Sequence, residues 1–185
     1  MINNFYEGKI VALQITHQLL LGLAYTLRYK NAVWAFDKFY NEEVYQYFQS
    51  KLDEAFDSII AVCDSQKIKS TIEELEKLTP DSEDYPEIQG HLAQNGIISL
   101  QICWEYMQTR KSSDIVAILN FALESMDAIG HMVDDNFDYE AGCQKEFTIL
   151  DKYLEALTDN RVINVGVINK LKDISYPLQL ESPIE

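Results

Sequence analysis

Apolar residues recur at three- and four-residue spacing along most of this chain, which is the pattern of amphipathic α-helices. No run of strictly alternating apolar and polar residues, the pattern of a half-buried strand, stands out. The pattern predicts an all-α, single-domain bundle of about seven to eight helices. The expected helices span residues 4–29, 32–39, 42–63, 67–78, 87–108, 112–132 and 138–158, with a weaker eighth segment at 160–174.

Local sequence signals predict where these helices begin and end. Asn41, which precedes Glu42 and Glu43, is a predicted N-cap with acidic residues in the first helical turn. Thr79-Pro80 is expected to end a helix, because proline disfavours helical backbone in the residue before it. The residues that follow, up to Pro86, are expected to form a turn-rich loop.

The domain organisation is expected to be simple. No stretch is rich in Gly, Ser or Pro as a flexible linker would be, so we predict one domain over residues 1–176 and a loose tail over residues 177–185. The helices at 87–108 and 112–132 are expected in the middle of the core. The first has a wide apolar face, and the second is apolar around most of its circumference.

Charge narrows the classes of partner. The 185 residues include 30 acidic residues against 15 lysines and arginines, for a formal net charge of −15. Residues 112–160 are the extreme case, with eleven acidic residues opposed only by Lys145 and Lys152. Such a surface repels nucleic acid and anionic lipid, and it attracts cationic proteins by long-range steering. We therefore expect a basic protein as the partner, and neither nucleic acid nor membrane.

The expected location is the cytoplasm. The first nine residues show no basic region followed by an apolar run, as a secretory signal would. The most apolar segments, 19–24 and 115–123, are much shorter than the ~20 residues that cross a bilayer. Three cysteines without a close pair disfavour both a disulfide framework and a zinc site, and buried free thiols are expected at Cys63, Cys103 and Cys143.

Little in the sequence suggests catalysis, and we expect no enzyme, metal or cofactor. The three histidines are far apart, and no nucleophile motif or phosphate-binding loop occurs. Glu124, Asp127 and His131 share one helix face, which suits a metal but also suits the solvent stripe of a core helix. Glu73-x-x-Glu76 and Glu124-x-x-Asp127 are similar to the magnesium-binding pairs of all-α nucleotide hydrolases, although 47 residues lie between them.

Two acidic loops and one aromatic-rich segment are the candidate partner-binding features. Loops often carry binding residues, and exposed tyrosines anchor protein interfaces. Acidic loops can also serve solubility alone, and tyrosines can wedge between two helices with their hydroxyls at the rim, so both alternatives stay open. The candidates are Asp81, Glu83 and Asp84 in one loop, Asp134, Asp135, Asp138 and Glu140 in the other, and Tyr40, Tyr45 and Tyr47 in the aromatic segment.

Three segments resemble a known family. They are Thr71-Ile-Glu-Glu-Leu-Glu-Lys-Leu-Thr-Pro followed by Asp81-Ser-Glu-Asp-Tyr, then a tryptophan-bearing helix, then Ala122-Leu-Glu-Ser-Met-Asp-Ala. In this order they resemble the YjaG-like family of bacterial helical proteins of unknown function, also called domain-of-unknown-function family 416. The resemblance runs from the first helix to about residue 158. It implies a compact helical bundle and no particular reaction.

Three functional hypotheses follow. The first is an acidic protein-binding module, specifically an immunity or inhibitor protein that masks a cationic partner such as a nuclease toxin, because nucleases need cationic surfaces to hold phosphate. The alternative is an intracellular housekeeping or regulatory protein of the YjaG-like family with no toxin partner. The third is a metal-dependent all-α nucleotide hydrolase.

Overall fold

The fold is all-α, as the apolar periodicity predicts. A computed structural model describes residues 1–60, 63–160, 162–174 and 177–178. Within these residues there are nine helices and no strand. The helices are α1 (Asn4–Val11), α2 (Ile15–Leu27), α3 (Lys30–Tyr40), α4 (Tyr45–Asp57), α5 (Ser65–Leu78), α6 (Ile88–Thr109), α7 (Ser112–Val133), α8 (Tyr139–Thr158) and α9 (Val165–Ile174).

The first expected helix is two helices, which accounts for the additional element. The helical backbone ends after α1 and begins again at α2, with residues 12–14 between the two helices. The side-chain amide of Gln18 donates to the carbonyl oxygens of Leu13 and Val11, at 3.0 and 3.4 Å. Carbonyl groups at a helix end have no partner within the helix, so Gln18 supplies partners that a continuous helix would not need.

The junction of α3 and α4 corrects the predicted N-cap. Asn41 lies in the left-handed region with φ of 58° and is the C-cap of α3. The backbone N–H groups of Val44 and Tyr45 instead donate to the two carboxylate oxygens of Asp37, at 3.0 and 2.9 Å. Asn41 suits its position because asparagine tolerates left-handed backbone better than most residues.

Helix α6 lies at the centre of the bundle, as expected. Helices α2, α3, α4, α5 and α7 all pack against it, and Leu100 and Trp104 are fully buried. A Cβ atom on Gly96 would lie 2.6 Å from the Cβ of Tyr29. Glycine at this position therefore permits the close approach between α6 and the segment that joins α2 to α3.

Helix α7 buries one face and not most of its circumference. That face packs on α1, α2, α6 and α8, whereas the outer residues remain partly exposed. Among the described helices, α7 is long and apolar enough to cross a membrane by length and composition alone, a test that core helices of soluble proteins also pass. The buried residues are Ile115, Ile118, Leu119, Ala122, Leu123 and Ser125.

A buried ion pair joins the end of α2 to α8. The two terminal nitrogens of Arg28 donate to the two carboxylate oxygens of Glu146, at 2.6 and 2.7 Å. Both residues are almost completely buried, at 2% and 6% exposure. Burial alone would lower the pKa of Arg28, but the hydrogen bonds and negative charge of Glu146 raise it above the ordinary value.

The start of the expected loose tail is packed. Leu178 is buried, and its backbone N–H donates to the carbonyl oxygen of Arg28 at 2.9 Å. Leu178 therefore extends the core beside the Arg28–Glu146 pair. The prediction for residues 179–185 lies outside the described residues.

One of the three cysteines is fully buried, and all three are free. Cys103 lies in the core, where burial raises the pKa of its thiol to about 12. Cys63 and Cys143 are half-buried, so the expectation of buried thiols holds fully for Cys103 alone.

Candidate functional site

Both acidic loops lie at the same end of the central helix pair. Helices α6 and α7 are antiparallel neighbours joined through residues 110–111, and the Asn95 side-chain amide donates to Ser125 Oγ between them at 3.1 Å. The start of α6 and the end of α7 are therefore at the end opposite this connection. One acidic loop leads into α6 and the other follows α7. We call residues 81–84 and 134–140 together the acidic end.

The first loop folds around Asp81. Its carboxylate accepts from the backbone N–H of Glu83 at 2.9 Å, and its carbonyl oxygen accepts from the N–H groups of Asp84 and Tyr85. The Tyr85 hydroxyl then donates to Glu42 at 2.8 Å, which connects the loop to the α3–α4 junction. Asp81 thus holds the turn, while the side chains of Glu83 and Asp84 project into solvent.

The second loop uses two of its acidic residues in the same way. Asp134 accepts from the N–H of Asn136 at 2.9 Å, and Asp138 is the N-cap of α8, accepting from the N–H of Ala141 at 3.1 Å. Asp135 and Glu140 have no such side-chain hydrogen bond among the described residues. The loops therefore contain three structural carboxylates and four that remain available for a partner. The available ones are Glu83, Asp84, Asp135 and Glu140.

All seven carboxylates are exposed and form no ion pair among the described residues. Within the described part of the chain, no lysine, arginine or histidine nitrogen lies within 4.0 Å of any of them. Because no ion pair neutralises them, their charges contribute to the negative potential at this end.

Phe137 fixes the second loop against the bundle. A Cβ atom on Gly130 would lie 2.5 Å from the Phe137 ring, and one on Gly142 would lie 2.6 Å from it. The two glycines therefore leave room for the ring between α7 and α8. The ring also meets His131 edge to face, with centroids 5.4 Å apart. The acidic residues around Phe137 are consequently held on a defined loop.

Exposed apolar side chains flank this loop, and the sequence reasoning missed them. Met132, Val133 and Tyr139 are 47%, 66% and 40% exposed. A hydrogen bond with Cys143, and to a smaller extent burial, raise the pKa of Tyr139 to about 12. The available signal was the apolar pair at the end of a helix directly before two aspartates. Exposed apolar contact area therefore lies in and directly beside the acidic end.

The three candidate tyrosines are half-buried between helices. The Tyr40 ring packs against those of Phe36 and Tyr85, with centroids 5.2 and 4.8 Å apart, and the Tyr47 hydroxyl donates to Glu74. Tyr45 also packs against the core. Their contribution to an interface stays a prediction. The freely exposed aromatic surface nearby belongs to two residues of α3, Trp34 and Phe39.

The carboxylate and histidine patterns do not assemble a metal centre among the described residues. No cluster of three or more His, Cys, Asp or Glu side chains that could hold a metal ion is found there. Asp127 Oδ1 and His131 Nε2 are 3.4 Å apart on the outside of α7. Glu73 Oε1 lies 3.8 Å from Lys69 Nζ on α5, so its nearest charged partner is a lysine on the same helix. Glu124 is on a different helix, α7.

Comparison with known proteins gives a match in structure but none in sequence. No family model matches the sequence, and no curated protein matches it. The structure, however, is similar to the crystal structure of a DUF416 family protein from Shewanella baltica OS155, with a TM-score of 0.76 over 94% of each chain. This chain has the DUF416 fold. The sequences are 18% identical, so the match shows the fold alone.

The DUF416 fold is the one implied by the sequence resemblance, which runs from the first helix to about residue 158, and that expectation is confirmed. The Shewanella protein is described by its family only, with no ligand or activity. The fold match therefore assigns no role to the acidic end.

Proposed function

We propose that this chain is an acidic protein-binding module, specifically a cytoplasmic immunity or inhibitor protein that masks a cationic partner such as a nuclease toxin. The observation that carries the proposal is the acidic end. Two loops that are about fifty residues apart in sequence lie at the same end of the bundle and expose seven carboxylates that form no ion pair among the described residues.

The two kinds of side chain at the acidic end suit different parts of binding. Unpaired carboxylates accelerate encounter with a positively charged surface, and salt screens this effect. Apolar side chains such as Met132, Val133 and Tyr139 lose water on contact and so supply affinity. A nuclease presents the complementary surface, because it must attract phosphate.

The alternative is a housekeeping or regulatory role without a toxin partner. In that role the charge of −15 would serve solubility alone. A metal-dependent nucleotide hydrolase has the least support. Its two candidate carboxylate pairs lie on different helices, α5 and α7, and no cluster of three or more possible metal ligands is found among the described residues.

The test is affinity capture from the native lysate at about 50 mM and about 500 mM salt, followed by mass spectrometry. The proposal expects a stoichiometric basic protein at low salt that is retained less well at high salt. Retention of no basic protein at either salt would contradict it and favour the alternative role.

A further inference from the structure

An apolar groove opens beside the acidic end. It has a volume of about 370 Å³ and lies between α7 and α8, with Pro177 and Leu178 on its other side. This volume is within the range of sites that accept small ligands or single side chains, about 300–1,000 Å³. Its apolar wall consists of Met126, Ile129, Val133, Phe137 and Ile149.

The charges around the groove favour a cation over an anion. Arg28, a buried residue that lines the groove, is already paired through two hydrogen bonds with Glu146, so its charge is neutralised. Asp134 lines the groove where it meets the acidic loop, with the carboxylates of Asp135, Asp138 and Glu140 following on the same loop. Among the described lining residues, Lys145 is the one cation outside an ion pair.

We propose that this groove receives an apolar side chain from a lysine- or arginine-rich segment of the partner, while the acidic loop pairs with the flanking cations. The inference rests on the proposed function and adds a specific docking site to it. Val133 supports it directly. This valine is 66% exposed, lines the groove and immediately precedes Asp134, so apolar contact and charge adjoin there.

The probes are three labelled peptides that differ at one feature each. The first has one leucine between two groups of three lysines, the second replaces that leucine with serine, and the third replaces the lysines with glutamates. Binding is measured by fluorescence anisotropy at about 50 mM salt, and methyl NMR signals of Ile129, Val133 and Ile149 report the location. The wild-type chain should bind the leucine-lysine peptide about tenfold or more tighter than the serine peptide.

Two variants of the chain separate the groove from general charge attraction. Val133→Ser should weaken binding of the leucine-lysine peptide about threefold or more and leave the serine peptide unchanged. Val165→Ser is the matched control, because Val165 is similarly exposed, at 62%, lies on α9 and does not line the groove. Lys145→Gln should tighten binding of the lysine peptides, since it removes a repulsive charge.

Several results would overturn the inference, and the last of them separates it from the proposed function. If the leucine and serine peptides bind equally well, or if neither binds, the groove does not receive an apolar anchor. If the glutamate peptide binds best and Lys145→Gln weakens it, the groove accepts an anion. Equal binding of both lysine peptides, lost when the acidic-loop charges are removed, would reject the groove while leaving the proposed function intact.

Discussion

Arg28 and Glu146 show how far the fold depends on single side chains. Each is nearly inaccessible to solvent, and each satisfies the other through two hydrogen bonds. The carbonyl group of Arg28 also accepts the N–H of Leu178. The pair therefore ties together α2, α8 and the residues after α9. Removing two charges from water costs free energy, which the attraction within the pair largely offsets. Replacing one partner therefore destabilises the fold strongly, because the other charge stays buried and unpaired, whereas replacing both partners does not.

We expect Glu146→Gln or Arg28→Met to lower the free energy of unfolding by about 3–5 kcal/mol, because each leaves one buried charge without its partner. Replacing both residues, Arg28→Met with Glu146→Leu, should recover most of that loss. Urea denaturation of the three variants measures these differences. A double variant as unstable as the single ones would show that packing, and not charge pairing, determines stability here.

At the scale of elements, the N-terminus of α4 is capped by a side chain of the preceding helix, α3. Asp37 lies in the last turn of α3, yet its carboxylate binds the first N–H groups of α4. Asp37→Ala should therefore destabilise the fold by about 1 kcal/mol, the usual loss for an N-cap.

Glu43→Ala is the matched control for this prediction. Glu43 lies in the same junction, is exposed and has no side-chain hydrogen bond among the described residues, so its replacement should change stability by less than about 0.5 kcal/mol. Thermal unfolding of both variants provides the comparison. Equal effects of the two substitutions would mean that Asp37 is not the cap.

The same junction shows what the sequence could and could not predict. Helix periodicity depends on residues three or four apart, so the helices were recognised in order and the class was predicted correctly. A cap supplied from the preceding helix depends on how two helices meet, and Asn41 was chosen because it carried the nearest local signal. The break between α1 and α2 was missed for the same reason, since Gln18 acts on carbonyl groups behind it.

For the candidate site, the sequence predicted the acidic loops but not their arrangement. Runs of Asp and Glu beside turn-forming residues are readable directly, and all seven are exposed. Their location at one end of the bundle follows from the antiparallel packing of α6 and α7. The division between structural and available carboxylates depends on hydrogen bonds of single residues such as Asp81 and Asp138, which no pattern of residue types specifies.

At the scale of the whole molecule, buried tyrosine hydroxyls and a buried cysteine thiol with raised pKa values predict that the fold loses stability at alkaline pH. Burial raises the pKa of Tyr25 well above 10.0, that of Tyr29 above its ordinary value, and that of Cys103 from 9.0 to about 12. Above the ordinary values, the folded chain holds these protons while the unfolded chain releases them. The stability they contribute is complete at lower pH and is lost as pH rises through the folded values.

We therefore expect the unfolding temperature to decrease from about pH 9 upward, with a steeper fall above about pH 10, as the ordinary thiol and phenol pKa values are passed. Calorimetry between about pH 7 and pH 11 measures the decline, and absorbance at 295 nm shows whether tyrosines ionise together with unfolding. An unfolding temperature that stays constant to pH 11 would contradict this expectation.

Two matched variants test whether the charges of the acidic end matter for binding more than the total charge of the molecule. In the acidic-end variant, Glu83→Gln, Asp84→Asn, Asp135→Asn and Glu140→Gln remove the four available charges and spare the structural aspartates. The control removes four exposed carboxylates without side-chain partners among the described residues, near the ends of α4, α8 and α9. These are Asp57, Glu155, Asp159 and Asp173.

The most direct measurement is the association rate of each variant with the basic protein captured by the chain, followed by stopped-flow fluorescence from about 20 mM to about 500 mM salt. We expect the acidic-end variant to associate at least about tenfold more slowly at low salt than the control variant, with a weaker dependence on salt. Equal rates and equal salt dependence for the two variants would contradict the claim that the acidic end binds the partner.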